Sequence, residues 1–99
     1  MIEIVQSETF ARWIVKLRDR QAVARINARL RRLTETGNFG DAKALHDGVG
    51  EMRIDYGPGY RLYFMRRGSV LVVLLAGGDK RTQDADIVRA AEIAKEWKD

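Results

Sequence analysis

The residues best suited to chemistry are cations placed around a short turn. Glu51 to Phe64 reads as two strands that alternate apolar and polar residues on either side of Gly57-Pro58-Gly59. With Ile54 opposite Leu62, Met52 faces Phe64 and Tyr56 faces Tyr60 on one side. The other side then carries Arg53, Asp55, Arg61 and Tyr63, because successive strand side chains point to opposite faces. Arginine presents a planar fork of donors that matches phosphate oxygens in pairs, so this face has the means to grip a phosphate backbone. Lys80 and Arg81 add two adjacent cations later in the chain. The plain alternative for Arg61 is a cross-strand ion pair with Asp55.

Other chemistries are excluded or unsupported. There is no cysteine, which rules out disulfides, thiolate metal sites and cysteine nucleophiles. His46 is the single histidine and reads as a loop residue. Histidine and carboxylates do not gather at metal-ligand spacing, so neither a metal nor a cofactor is expected. The glycine pairs lack the phosphate-loop pattern. Net charge is +4, and 18 basic residues include 13 arginines, a balance that suits a polyanion or an acidic protein partner. The start, Met1 to Gln6, has no signal-peptide character. The longest apolar run, Val70 to Ala76, is too short to span a bilayer. A soluble, cytoplasmic protein is expected.

Ninety-nine residues, 45% hydrophobic and 32% charged, are enough for a folded core and define one expected domain, 1–99. Ile2 to Val5 reads as a short strand. Ser7 can cap a helix whose stripe is Phe10, Trp13, Ile14 and Leu17, and Asp19 a second whose stripe is Val23, Ile26, Leu30 and Leu33. Gly37 stops that helix. Arg25, Arg29 and Arg32 decorate its flank, as a solvated face or as contacts to RNA. Residues 38–48 read as irregular. After the hairpin, Arg67-Gly68 suits a tight turn, and Val70 to Ala76, apolar on both faces, belongs inside the sheet. Gly77-Gly78 leaves the strand. Thr82 or Asp84 then caps a last helix with Ile87, Ala91, Ala94 and Trp97 inward, covering the face to which Val72 and Leu74 point. Trp13 and Trp97 read as core. The expected fold is α+β: an N-terminal strand and a helical hairpin packed on an antiparallel meander, with a C-terminal helix.

This order of elements resembles the RelE/ParE superfamily of toxins from type II toxin-antitoxin modules, in particular the HigB-like branch of phage-derived addiction-module killer proteins. Three segments carry the likeness: Gly50 to Ile54, Gly57 to Phe64, and Leu74 to Gln83 leading into Asp86-Ile87. The resemblance implies a small RelE-like fold and a ribosome-dependent mRNA endonuclease. Its reaction would be a metal-free attack of a ribose 2′-hydroxyl on the adjacent phosphate, which needs a base, an acid and cations for the charge on phosphorus. It further implies a helix-turn-helix antitoxin as partner, with operator DNA bound only through the toxin-antitoxin complex, and no membrane.

By the same resemblance Arg61, in Gly59-Tyr60-Arg61, is the phosphate-binding arginine, and Lys80 or Arg81 reaches the scissile phosphate. Arg53 and Tyr63 are RNA-contact candidates, Arg53 equally as a sheet residue. The tyrosine that several RelE-like toxins carry in the last helix is missing from Thr82 to Ile87, so the base stays open among Tyr63, a lysine beside Arg81 and, less naturally, His46 or Tyr56. A ParE-like gyrase inhibitor and an inactive relative acting only in a regulatory complex are the other readings.

Overall fold

A computed structural model describes residues 1–98. The elements are β1 (Glu3–Gln6), α1 (Glu8–Lys16), α2 (Arg20–Thr36), β2 (Ala42–Ala44), β3 (Gly50–Ile54), β4 (Tyr60–Arg67), β5 (Leu71–Asp79), a 3-10 turn (Lys80–Thr82) and α3 (Gln83–Glu96). They form one five-stranded sheet in the order β1-β5-β4-β3-β2. Every pairing is antiparallel except that of the edge strand β1 with β5. This is the α+β arrangement expected from the sequence.

Local signals set the helix ends. The Phe10 N–H donates to Ser7 Oγ at 3.0 Å, and the Ser7 hydroxyl donates to the Leu75 carbonyl at 2.6 Å, so one residue caps α1 and ties it to the sheet. Asp19 Oδ1 accepts from the N–H groups of Gln21 and Ala22. Gly37 ends α2 at φ 75°, a left-handed position that glycine takes without a Cβ penalty. The apolar stripes of α1 and α2 cover one sheet face, where Phe10, Ile26, Leu33, Met52, Leu62 and Leu74 are buried together. Helix α3 covers the other, its Ala90 buried with Tyr63, Val73, Leu75 and Ala76.

Four details correct the sequence reading. First, the hairpin register is shifted by two residues: Ile54 pairs with Tyr60, Met52 with Leu62 and Gly50 with Phe64. The turn is therefore longer, because Tyr56 leaves the strand. Its hydroxyl donates to Asp19 Oδ1 at 3.2 Å, and Arg25 lies 4.7 Å from its ring centre. A two-residue shift preserves the faces, so the sorting of apolar from charged side chains survives. Second, β2 lies within the stretch expected to be irregular. Arg29 holds it in place, donating to the carbonyls of Phe39, Asp41 and Arg53.

Third, β5 does not leave the sheet at Gly77-Gly78 but pairs through to Asp79. Both glycines are needed for close approach. A Cβ on Gly77 would enter the Trp13 ring, and one on Gly78 would enter the Asp86 carboxylate. A bulge opposite Tyr63/Phe64 puts Leu75 and Ala76 on the same side. Val72 and Leu74 consequently face α1 and α2, not α3, since Leu74 pairs with Phe64 and partners share a face. Fourth, Thr82 stands at the N-cap position of α3 as expected, but neither it nor Asp84 supplies a capping bond. Asp79 Oδ1 accepts from the Arg81 N–H at 2.8 Å and caps the 3-10 turn, and Thr82 makes no side-chain cap bond to α3.

Substituting Gly77→Ala drives a methyl group into Trp13. The expected loss, read from urea denaturation, is about 1–3 kcal/mol, the usual cost of overpacking. Unchanged stability would mean that Trp13 does not lie flat on β5.

Candidate functional site

Arg61 sits near the start of β4 with its side chain only 13% exposed. Its Nη1 donates to the Gly59 carbonyl at 2.8 Å, which bends the guanidinium back over its own turn. Its Nε lies 3.6 Å from Glu51 Oε1. The partner is therefore Glu51 and not Asp55, which is exposed and beyond the end of β3. The geometry follows from the register: Arg53 stands opposite Arg61 and Glu51 opposite Tyr63, so Glu51 and Arg61 meet on the diagonal.

Glu51 is fully buried beneath α3, and its Oε1 also accepts from Gln83 Nε2 at 3.0 Å. This carboxylate joins three elements: its own β3, β4 through Arg61, and the first turn of α3 through Gln83. Glu51 Oε2, Arg61 Nε and the Tyr63 hydroxyl are buried without a hydrogen-bond partner among the described residues. The sequence reading passed over Glu51 and Gln83. The alternation did carry a sign of the first, since position 51 has the same parity as 53, 61 and 63. Gln83 carried none, because its bond depends on how α3 crosses the sheet.

Lys80 stands close to Arg61 across Gly59. A Cβ on Gly59 would lie 3.2 Å from Arg61 Nη1 and 3.9 Å from Lys80 Cβ. Lys80 is exposed and makes no ion pair among the described residues. Arg81 turns instead to Asp79, Nη2 to Oδ2 at 2.8 Å, with its own side chain 81% exposed. The hydrogen bond from Arg81 holds the Asp79 carboxyl below its ordinary pKa and raises the arginine in turn. An open groove of about 490 Å³ runs along Lys80 to Ala85.

Two expected RNA contacts lie differently. Arg53 pairs with Asp41 at 3.0 Å toward β2, away from Lys80. Tyr63 is completely buried, so it offers no surface to RNA. Burial, followed by the charges of Glu51 and Asp86, pushes its hydroxyl above the ordinary tyrosine pKa, against the opposing pull of Arg61. It stays protonated at neutral pH and is not a base there. His46 pairs with its neighbour Asp47 at 3.0 Å in an exposed loop and takes no part. Arg53, Arg61 and Arg81 are thus each matched by a carboxylate, while Lys80 is not. The site is a compensated network with one uncommitted ammonium, not a bare cluster of cations.

Removing Glu51 leaves the Arg61 guanidinium buried without its anion. Glu51→Ala should cost roughly 3–5 kcal/mol in urea denaturation, the range for breaking a buried pair, with a loss under about 1 kcal/mol, as for an exposed pair, counting against the network. Asp79→Asn tests the cap. A carboxyl lowered in the folded state stabilises above its unfolded pKa, so the deficit of the variant should be full above about pH 4 and close as pH falls through the lowered pKa. A deficit that persists at low pH would show that ionisation of Asp79 does not matter.

No family model matches the chain. An uncharacterized protein of Haemophilus influenzae is 52% identical over 95 residues, spanning 96% of this chain and 95% of its own length. Identity at this level over nearly the whole of both chains makes the two members of one family, and this protein belongs to the family of that Haemophilus influenzae protein.

Proposed function

We propose that the protein is the toxin of a type II toxin-antitoxin module, a cytoplasmic, ribosome-dependent endonuclease that cuts mRNA. The order of elements and the three motif segments resemble RelE/ParE toxins of the HigB-like branch. The observation that supports the reading is that Arg61 and Lys80 both approach Gly59, Lys80 also lining an open groove. There a phosphate would meet an uncommitted ammonium and a guanidinium held rigid by Glu51 and the Gly59 carbonyl. Groups fixed in advance stabilise developing charge without reorganising during the reaction.

In the proposed step the ribose 2′-oxygen bonds to phosphorus and the bond from phosphorus to the 5′-oxygen breaks, leaving a cyclic phosphate. Arg61 counters charge on the phosphoryl oxygens. In this reading Lys80, a flexible cation with three donors, protonates the departing oxygen. The 2′-hydroxyl proton passes to solvent, Tyr63 being buried and protonated and so excluded as its acceptor. A helix-turn-helix antitoxin is the proposed partner, operator DNA being engaged through the complex.

A second reading, a ParE-like gyrase inhibitor acting by contact alone, gains from the pairing of Arg53, Arg61 and Arg81 with carboxylates and from the enclosure of Tyr63. Expression without antitoxin separates the two. Primer extension should find cuts within translated codons for the wild type and at least about tenfold fewer for Lys80→Ala, a loss of about 1.4 kcal/mol in transition-state stabilisation. Arg61→Lys, which keeps a cation for Glu51, should also fall. Growth arrest with intact mRNA and inhibited supercoiling by purified gyrase would replace the nuclease with the gyrase reading. Normal growth would point to an inactive relative.

A further inference from the structure

The amide of Gln83 can be seated in only one way. A carboxylate offers acceptors alone, so Glu51 can take only the amide NH2 group. Gln83 Nε2 donates to Glu51 Oε1 at 3.0 Å, and the amide oxygen is thereby turned away from Glu51. Gln83 Oε1 takes no hydrogen bond among the described residues and, unlike Glu51 Oε2, is not enclosed. Arg61 Nε lies 3.6 Å from the same Glu51 oxygen. One buried atom therefore holds both the amide and the guanidinium.

Gln83 lines the open groove that runs from Lys80 to Ala85, and its neighbours there offer acceptors as well. The Thr82 hydroxyl donates its one proton to Asp86 Oδ2 at 2.6 Å, which leaves it only lone pairs for a ligand. Asp84 is an exposed carboxylate. Arg81 does not offset them, because its Nε and Nη2 are turned to Asp79. This stretch of the groove thus presents acceptors. Lys80, which makes no ion pair among the described residues, stands at its head. A matching ligand must bring an anion for Lys80 and N–H donors for the wall. A basic peptide has the donors but is repelled by Lys80 and Arg61. A nucleotide has the anion and, on some bases, the donors.

We infer that this groove is a nucleobase subsite, in which Gln83 Oε1 accepts from the exocyclic amino group of a base next to the bound phosphate. The subsite rests on the reading of the protein as acting on RNA at Arg61 and Lys80, and it adds which bases that site favours. Adenine and cytosine carry an amino group with N–H donors. Uracil has a carbonyl in the place of that group, and its one ring N–H lies between two carbonyls, so acceptors would face acceptors. A site whose polar groups match one base and oppose another discriminates more strongly than a shape fit alone. Glu51 makes the discrimination possible. A glutamine free to flip its amide would serve amino and carbonyl groups equally, whereas Gln83 cannot flip without setting its oxygen against the carboxylate. Gln83 is in this sense a specificity residue and takes no part in bond breaking.

The test uses the full chain and fluorescent 2′-O-methyl trinucleotides of cytosine, adenine or uracil, which lack the attacking hydroxyl and bind without being cut. Cytosine and uracil have rings of one size, so comparing them isolates the amino group from stacking. The cytosine and adenine probes should bind at least about fivefold more tightly than the uracil probe, the worth of one hydrogen bond. Gln83→Met keeps the length of the side chain and removes the acceptor, and should bring the affinities for cytosine and uracil to within about twofold of each other. A structural role alone would weaken all three probes alike and leave the ratio intact. Equal binding of cytosine and uracil by the wild type would overturn the proposal, as would a ratio that survives Gln83→Met or a failure of all three probes to bind. Cellular mRNA separates this result from the nuclease reading. Discrimination among the probes with no cut mRNA would sink the nuclease and leave the subsite standing. Cuts spread evenly over all four bases would do the reverse.

Discussion

A carboxylate with no exposed surface is the constraint on which the rest of this structure depends. Glu51 lies under α3, and an ionised group so placed is costly unless paired and hydrogen-bonded. Its partners come from two other elements: Arg61 on β4 and Gln83 at the start of α3. The cost of leaving Glu51 unpaired thus opposes any sliding of the hairpin relative to α3. Since Lys80 lies in the turn that leads into α3, the same carboxylate sets how far Lys80 stands from Arg61. The glycines at 77 and 78 serve the same end, letting Trp13 on one face and Asp86 on the other close against β5.

This view separates two kinds of arginine. Some are structural. Arg29 gathers the carbonyls of Phe39, Asp41 and Arg53 and so creates β2, and Arg61 answers Glu51. Others, along α1 and α2, face solvent and are held by no carboxylate among the described residues. A net charge of +4 describes neither group well. The physically relevant quantity is where uncompensated charge remains among the described residues: the helical layer and Lys80, with Lys43, Arg66 and Lys95 besides.

Features governed by neighbours in sequence were legible in advance. Ser7, Asp19 and Gly37 act where their types predict, and the alternation through Met52 to Phe64 assigned both faces of the hairpin correctly. Features governed by distant partners were not. The register slipped by two because Tyr56 is drawn to Asp19 at the corner between α1 and α2. Strand β2 is too short for a periodic signal and depends on a guanidinium from α2. Gly77-Gly78 looks like a strand exit to any local rule, yet it is where two helices come closest to the sheet. For the candidate site, Arg61 and Lys80 were named from sequence and lie together. Tyr63 was assigned the right face, but the depth of its burial under α3 is a tertiary fact, and the pairing of Arg53 with Asp41 follows from the unforeseen β2.

The most direct measurement of the central claim is hydrogen exchange at the Arg61 Nε–H, followed by NMR in the intact protein. Enclosed beside Glu51, this proton should have its own shifted resonance and exchange on the order of a hundredfold more slowly than the Nε–H groups of the exposed helical arginines, as befits a group released only by opening of the structure. Exchange as fast as that of Arg12 would show that Glu51 does not hold Arg61, and the link between the hairpin and α3 would fail with it.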